Sequence, residues 1–175
     1  EAEALSDLLS ALGFVHVGNH VSKKVARWAQ NDINILSNSA GSGFAHSSYE
    51  VHGVSACEIA LRVDNAGDTV ERARQLGAEV VQTRQADGEL SIPAMRGVGG
   101  GMVRFIDRRG DLGDLWEIDF NQVTPAAADS AVGLQTIDHI AQTMKYEELL
   151  TWTLFYTSIF DADKVAMVDV VDPGG

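Results

Sequence analysis

Residues 55–81 read "SACEIALRVDNAGDTVERARQLGAEVV", and the fold is decided here. "SACEIALRV" is a short apolar run bounded by turn signals, the pattern of a strand. "GDTVERARQLG" follows as a helix, and Gly77 just after it suits a left-handed C-cap. "AEVVQTR", "LSIPAMRGV", "GGMVRFIDR" and "LWEIDF" then supply four further strand candidates. The order strand, helix, then several strands is a β-α-β-β-β unit.

Upstream the same order recurs without its first strand. "EAEALSDLLSALGF" sets Leu5, Leu8, Leu9 and Leu12 on one helical face and stops at Gly13. "FVHVGNHV", "KVARWAQ" and "INILSN" read as strands, and "NSAGSGFAHSSYEVHG" as a connection rich in Ser, Gly and Asn. Gly13 and Gly77, 64 residues apart, end equivalent helices. "EIALRV" at 58–63 and "HIAQTM" at 139–144 begin equivalent strands, the second running into the amphipathic "EELLTWTLFYTSIF". "NQVTPAAADSAVG" lies between them with the composition of a linker. The expected organisation is α+β. Residues 1–122 form a domain lacking its first strand, 123–134 a linker, and 135–175 the first strand-helix-strand of a truncated second domain. A chain that opens inside a helix and stops within a unit is expected to be part of a longer polypeptide.

Acidic residues outnumber basic ones 25 to 13, and the basic clusters Lys23-Lys24-Arg27 and Arg104-Arg108-Arg109 are too short to line a groove, so nucleic-acid binding is not expected. No apolar run approaches the roughly 18 residues needed to span a bilayer, and no secretory leader is visible. One cysteine, Cys57, cannot make an internal disulfide and fits a reducing cytoplasm. "GVGGG" at 97–101 precedes a strand, so it marks a turn or bulged strand end, not a phosphate loop.

Several phrases together are similar to one family. "LGFVHVGNHVSKKVARWAQNDINILSNS" (12–39) resembles the 4-hydroxyphenylpyruvate dioxygenase pattern of LGF, HxSK and Q-x-DIN-x-x-x-N. "HGVSACEIALRVDNA", "ERARQLGAE", "IPAMRGVGGGMVRFIDR", "WEIDF" and "TIDHIAQTMKYEELLTWTLFYTSIFD" continue it in order. The resemblance implies a vicinal oxygen chelate (glyoxalase-like) fold, with paired βαβββ units forming a curved mixed sheet. It also implies aromatic catabolism by a non-haem iron(II) dioxygenase, by oxidative decarboxylation and ring hydroxylation of an aromatic 2-oxo acid with O₂. Within the family, "EELLTWTLFYTSIFD" looks most like bifunctional bacterial proteins in which a 3-dehydroshikimate dehydratase barrel precedes the dioxygenase-like region. That subgroup leaves open a non-catalytic dimerisation or ligand-binding role.

The family holds Fe(II) with two histidines and a glutamate, and the resemblance makes His139 the first of them. Its partners would lie beyond Gly175, so the fragment alone is expected to be inactive, and none of its residues is assigned a catalytic role. On a strand, His139 and Ala141 share a face and Asp138 points away, a poor partner for its neighbour. The alternative is a half-buried strand histidine bonded to a carbonyl. Glu58 occupies in its unit the place of His139, and Glu117 stands where a superfamily unit commonly ends in a metal-binding glutamate. Together they outline a vestigial cradle, although such a carboxylate pair is more often solvated or salt-bridged. His16 and His20 sit at like-facing strand spacing, which could place two imidazoles together. The stripe Trp152, Phe155, Tyr156, Ile159 and Phe160 is expected to pack on the sheet of the second domain, or otherwise to fold back or pair with another copy as a homo-oligomer.

Overall fold

A computed structural model describes residues 1–83, 85–124 and 132–166. The sequence alternation becomes two four-stranded sheets among these residues. Helix α1 (Ala2–Ala11) leads into β1 (Val15–His20), β2 (Val25–Gln30) and β3 (Ile33–Asn38). After α2 (Phe44–His52) come β4 (Glu58–Arg62), α3 (Ala66–Gln75), β5 (Val80–Val81), β6 (Ala94–Arg96) and β7 (Met102–Ile106). Helix α4 (Leu115–Ile118), β8 (Phe120–Gln122) and α5 (Leu149–Phe160) complete the order. The sheets run β3-β2-β1-β8 and β4-β7-β6-β5. All pairings are antiparallel except β4 with β7, the parallel pair that the α3 crossover makes possible.

Alternation along the strands divides the second sheet into two chemical faces. Ile59 and Leu61 of β4 align with Val103 and Phe105 of β7, and with Met95 they pack under Ala66, Val70 and Ala73 of α3. Phe105, Met95 and Val103 are the largest fully buried side chains. The other face carries Glu58 and Arg104. Helix α3 starts cleanly because the Asn65 side chain accepts the Asp68 amide at 3.0 Å. The Asp107 carboxylate accepts the amides of Ala66 (2.7 Å) and Arg109 (2.8 Å), and these donors hold its pKa below the ordinary value. Gly77, at φ +86°, ends α3 in the expected left-handed conformation.

The first sheet is covered by α1, but through a narrower stripe than the leucine spacing suggested. Leu9 is buried with Phe14, Trp28 and Ile33, and Leu5 packs beside them, whereas Leu8 and Leu12 are exposed.

Three other expectations are corrected. The Ser/Gly-rich connection contains α2, because its glycines, Gly43 and Gly53, sit at the two ends and leave a breaker-free interior. "LWEIDF" is not one strand: the Asp119 amide closes a helical bond to the Leu115 carbonyl at 3.0 Å, and only Phe120 onward pairs with β1. The strand expected at 136–144 is not formed, since no described strand lies alongside to complete its ladder. "KVAMVDVVD" falls largely outside the described residues. No described helix is long and apolar enough to cross a membrane.

The sheets are joined by the stretch between β5 and β6. Its Glu89 side chain, 2% exposed, takes bonds from the Ser22 hydroxyl, the Lys23 ammonium (2.8 Å) and the Ala86 amide (3.1 Å). Next to it the Leu90 amide donates to the buried Asp119 carboxylate at 2.9 Å. Burial alone would raise the Glu89 pKa, but the Lys23, Ser22 and Ala86 donors outweigh it and bring the carboxyl down to about 2. A depressed carboxylate contributes stability that is whole above its unfolded pKa and is lost as pH falls through the folded one. Glu89→Gln should therefore flatten the acid limb of the stability curve between about pH 4.5 and 2, and cost roughly 2–3 kcal/mol at neutral pH. Urea unfolding at a series of pH values checks this; identical acid limbs would show that the clamp contributes nothing.

Candidate functional site

His139 lies in an irregular stretch, its side chain 80% exposed, with Nδ1 2.8 Å from the Asp138 carboxylate. The expectation that Asp138 points away is corrected. That divergence requires a paired strand, and on unpaired backbone the two side chains turn to the same side. A proton on Nδ1 donates to the carboxylate and leaves Nε2 as the free lone pair. At this exposure the contact adds little stability.

Glu58 and Glu117 sit in different surroundings. Glu58 projects from β4 on the face opposite the apolar core and bonds Arg104 Nε at 2.5 Å, and both side chains are about three-quarters covered. Arg104 also reaches the Thr83 hydroxyl at 3.4 Å. Glu117 is exposed on α4, ahead of the first sheet's β8. Beside it the Arg27 guanidinium stacks 3.9 Å above the Trp116 ring; burial lowers its pKa, with the Glu117 charge opposing. No group of three His, Cys, Asp or Glu side chains able to hold a metal occurs among the described residues.

The remaining candidates have local roles. Between His16 and Gly18 the β1–β2 register shifts. His16 lies against Trp28 and His20 against Phe120, each with ring centroids 5.3 Å apart, so the imidazoles serve separate neighbours. Burial, then the Lys23 charge, lowers the His20 pKa. Burial and the adjacent Glu58 raise that of Cys57, the pattern of an unreactive thiol.

The α5 stripe is core, but not where the sequence placed it. Phe155, Tyr156, Ile159 and Phe160 fold back onto the outer face of the second sheet beside α3, with Phe160 edge-on to Phe105 at 5.9 Å. The "GVGGG" run is the turn between β6 and β7. Its Gly97 has no room for a side chain, because a Cβ there would stand 2.8 Å from the Tyr156 hydroxyl. That hydroxyl accepts the Val98 amide at 3.3 Å, and the Arg72 guanidinium forks onto the Ser158 carbonyl at 2.9 and 2.7 Å.

Sequence reasoning missed a junction at Gln30. This 8%-exposed side chain donates to the Leu12 carbonyl at 2.8 Å and accepts the Leu134 amide at 2.8 Å. The signal was present in "Q-x-DIN", which groups Gln30, Asn31 and Asp32 at the β2–β3 turn.

The profile described as "Hydroxyphenylpyruvate dioxygenase, HPPD, N-terminal" matches residues 1–121. A 4-hydroxyphenylpyruvate dioxygenase from Pseudomonas aeruginosa is 36% identical over 169 residues, 96% of this chain and 47% of that protein. A 3-dehydroshikimate dehydratase from the same organism is 37% identical over 171 residues, 98% of this chain and 27% of that protein. Among solved structures, a xylose isomerase-like TIM barrel/4-hydroxyphenylpyruvate dioxygenase fusion protein superposes with a TM-score of 0.80 at 33% identity, over 99% of this chain and 27% of that one. The chain thus spans about half the length of the dioxygenase or less than a third of the dehydratase.

Glu58→Ala removes the partner of a largely covered guanidinium and should lower stability by roughly 1 kcal/mol, with Arg104→Met in the same chain restoring part of the loss. Chemical-denaturation midpoints measure both; an unchanged midpoint in Glu58→Ala would leave the carboxylate free for another role.

Proposed function

The chain belongs to the hydroxyphenylpyruvate dioxygenase family, whose N-terminal domain is a glyoxalase-like α+β fold, and from that membership we propose that its parent protein is a non-haem iron(II) dioxygenase. Its substrates are an aromatic 2-oxo acid of the 4-hydroxyphenylpyruvate type and O₂, and its setting is the cytoplasm. In this reading residues 1–122 are the non-catalytic domain, 123–134 the linker and 135–175 the start of the iron-bearing domain. The observation that carries it is the match to the P. aeruginosa dioxygenase, which continues past the N-terminal family region over 96% of the chain and so takes in His139.

The described residues alone do not build an iron site: His139 is one donor of the three that the reading requires. The other two are proposed to lie in the half of the relative's length that this chain does not cover. When bound, the iron would bring O₂ and the keto acid together for oxidative decarboxylation and ring hydroxylation. The part of this chain is to present the Nε2 lone pair of His139, which is open to solvent. Glu58, engaged by Arg104, and Glu117, exposed on α4, are retained as no more than the outline of an older cradle.

A second reading is supported by the TM-score of 0.80 with the barrel fusion protein. Here the region is a dimerisation or ligand-binding part of a bifunctional 3-dehydroshikimate dehydratase. The coding sequence ahead of Glu1 separates the two, since a barrel with its own metal ligands favours the second.

The dioxygenase reading predicts that the full-length protein, loaded anaerobically with Fe(II), binds about one iron per chain, and that His139→Ala removes most of it. Metal analysis after desalting is the measurement, and equal iron in the two proteins would overturn the assignment of His139.

A further inference from the structure

Residues 136–148 lie between two anchors. At the first, the Leu134 amide donates to Gln30 Oε1 (2.8 Å), Asn31 Nδ2 donates to the Leu134 carbonyl (2.5 Å) and the Asp32 amide donates to the Gln135 carbonyl (3.2 Å). Gln30 is in turn tied to the end of α1 through the Leu12 carbonyl. At the second, α5 is fixed by the Tyr156 hydroxyl over Gly97 and by the Arg72 fork on Ser158. The first anchor is on the β2–β3 turn of one sheet and the second on the outer face of the other. Between them the hydrogen bonds of the described residues are internal, Asp138 with His139 and the Glu148 amide with the Lys145 carbonyl. His139 is five residues from the first anchor at Leu134.

We propose that the N-terminal domain holds the His139 segment at both ends, and that Asn31, Gln30, Tyr156 and Arg72 are positioning residues for that histidine. The inference rests on the reading of His139 as an iron ligand. A metal ligand must be held within about 0.5 Å of its working geometry. A histidine on a tail tied at one end samples a far larger volume than one on a span pinned at both, and ordering it then weakens binding. The hydrogen bonds that recognise Leu134 and Gln135 are made largely to backbone, so they read the path of the chain more than its side chains.

Two variants loosen one anchor each without opening the core. Asn31→Gly keeps the left-handed φ of +49° while deleting the side-chain bond to Leu134. Tyr156→Phe keeps the ring and deletes the acceptor of the Val98 amide. Hydrogen exchange on the present chain is expected to show the Leu134 amide about tenfold faster in Asn31→Gly with α5 unchanged. Tyr156→Phe should speed the Val98 and α5 amides about tenfold with Leu134 unchanged. In the full-length protein each variant should weaken Fe(II) binding about tenfold, with His139 intact. Unchanged exchange in both variants would overturn the anchors themselves. Faster exchange with unaltered iron affinity, in a protein where His139→Ala abolishes iron, would overturn the positioning role and leave the ligand reading standing. Iron retained by His139→Ala would remove the ligand reading, and this inference with it.

Discussion

A carboxylate sealed between two sheets organises this molecule. Neither sheet offers the other a broad apolar face: the first has its own cluster under α1 and the second its own under α3 and α5. What crosses between them is polar. Glu89 carries its charge from the β5–β6 stretch into a ring of donors at the β1–β2 turn, and Asp119 repeats the device one step along. A charge buried this far must find its full set of partners, so the bonds define a relative placement that looser hydrophobic contact would leave undetermined.

The second sheet shows how one strand period serves two purposes. Side chains at alternate positions of β4 and β7 build an apolar layer on one side and the Glu58–Arg104 pair on the other. Tight helix packing above the apolar layer follows from small residues: Ala66 and Ala73 let α3 sit low, and Gly97 lets α5 bring a tyrosine hydroxyl down onto backbone. The polar side, facing away from both helices, is where the fold family places its chemistry. In this chain an arginine already occupies the carboxylate there.

The sequence disclosed whatever was encoded by period and punctuation. The α1 and α3 helices ended at Gly13 and Gly77 because a glycine at positive φ is a local requirement, visible without tertiary knowledge. The strands β1 to β4 and β7 were visible because their alternation is long enough to register. Where several residues served different masters, the reading slipped. Leu8 and Leu12 share a helical face with Leu5 and Leu9, yet the sheet beneath is too narrow to reach them. Asp119 and Phe120 look like strand neighbours, but the helical turn at Leu115–Asp119 buries a carboxylate that only Leu90, far away in sequence, explains. The strand at His139 failed for a third reason: pairing is a property of neighbours, not of the segment. For the site, the family phrases located the histidine, while the bonds around Gln30 and Asn31 needed three dimensions to be seen.

Helix α5 belongs by sequence to the far side of a compositional linker and by contact to the near side. Ile159 is as buried as Leu9, and it is buried among Val103, Phe105 and Ala73. A cut made in the linker, the natural place for recombination or for trimming a gene, would therefore strip the roof from the second sheet. It would leave Gly97 facing an empty socket. Two modules that share a helix in this way can be inherited, exchanged or lost only as one piece.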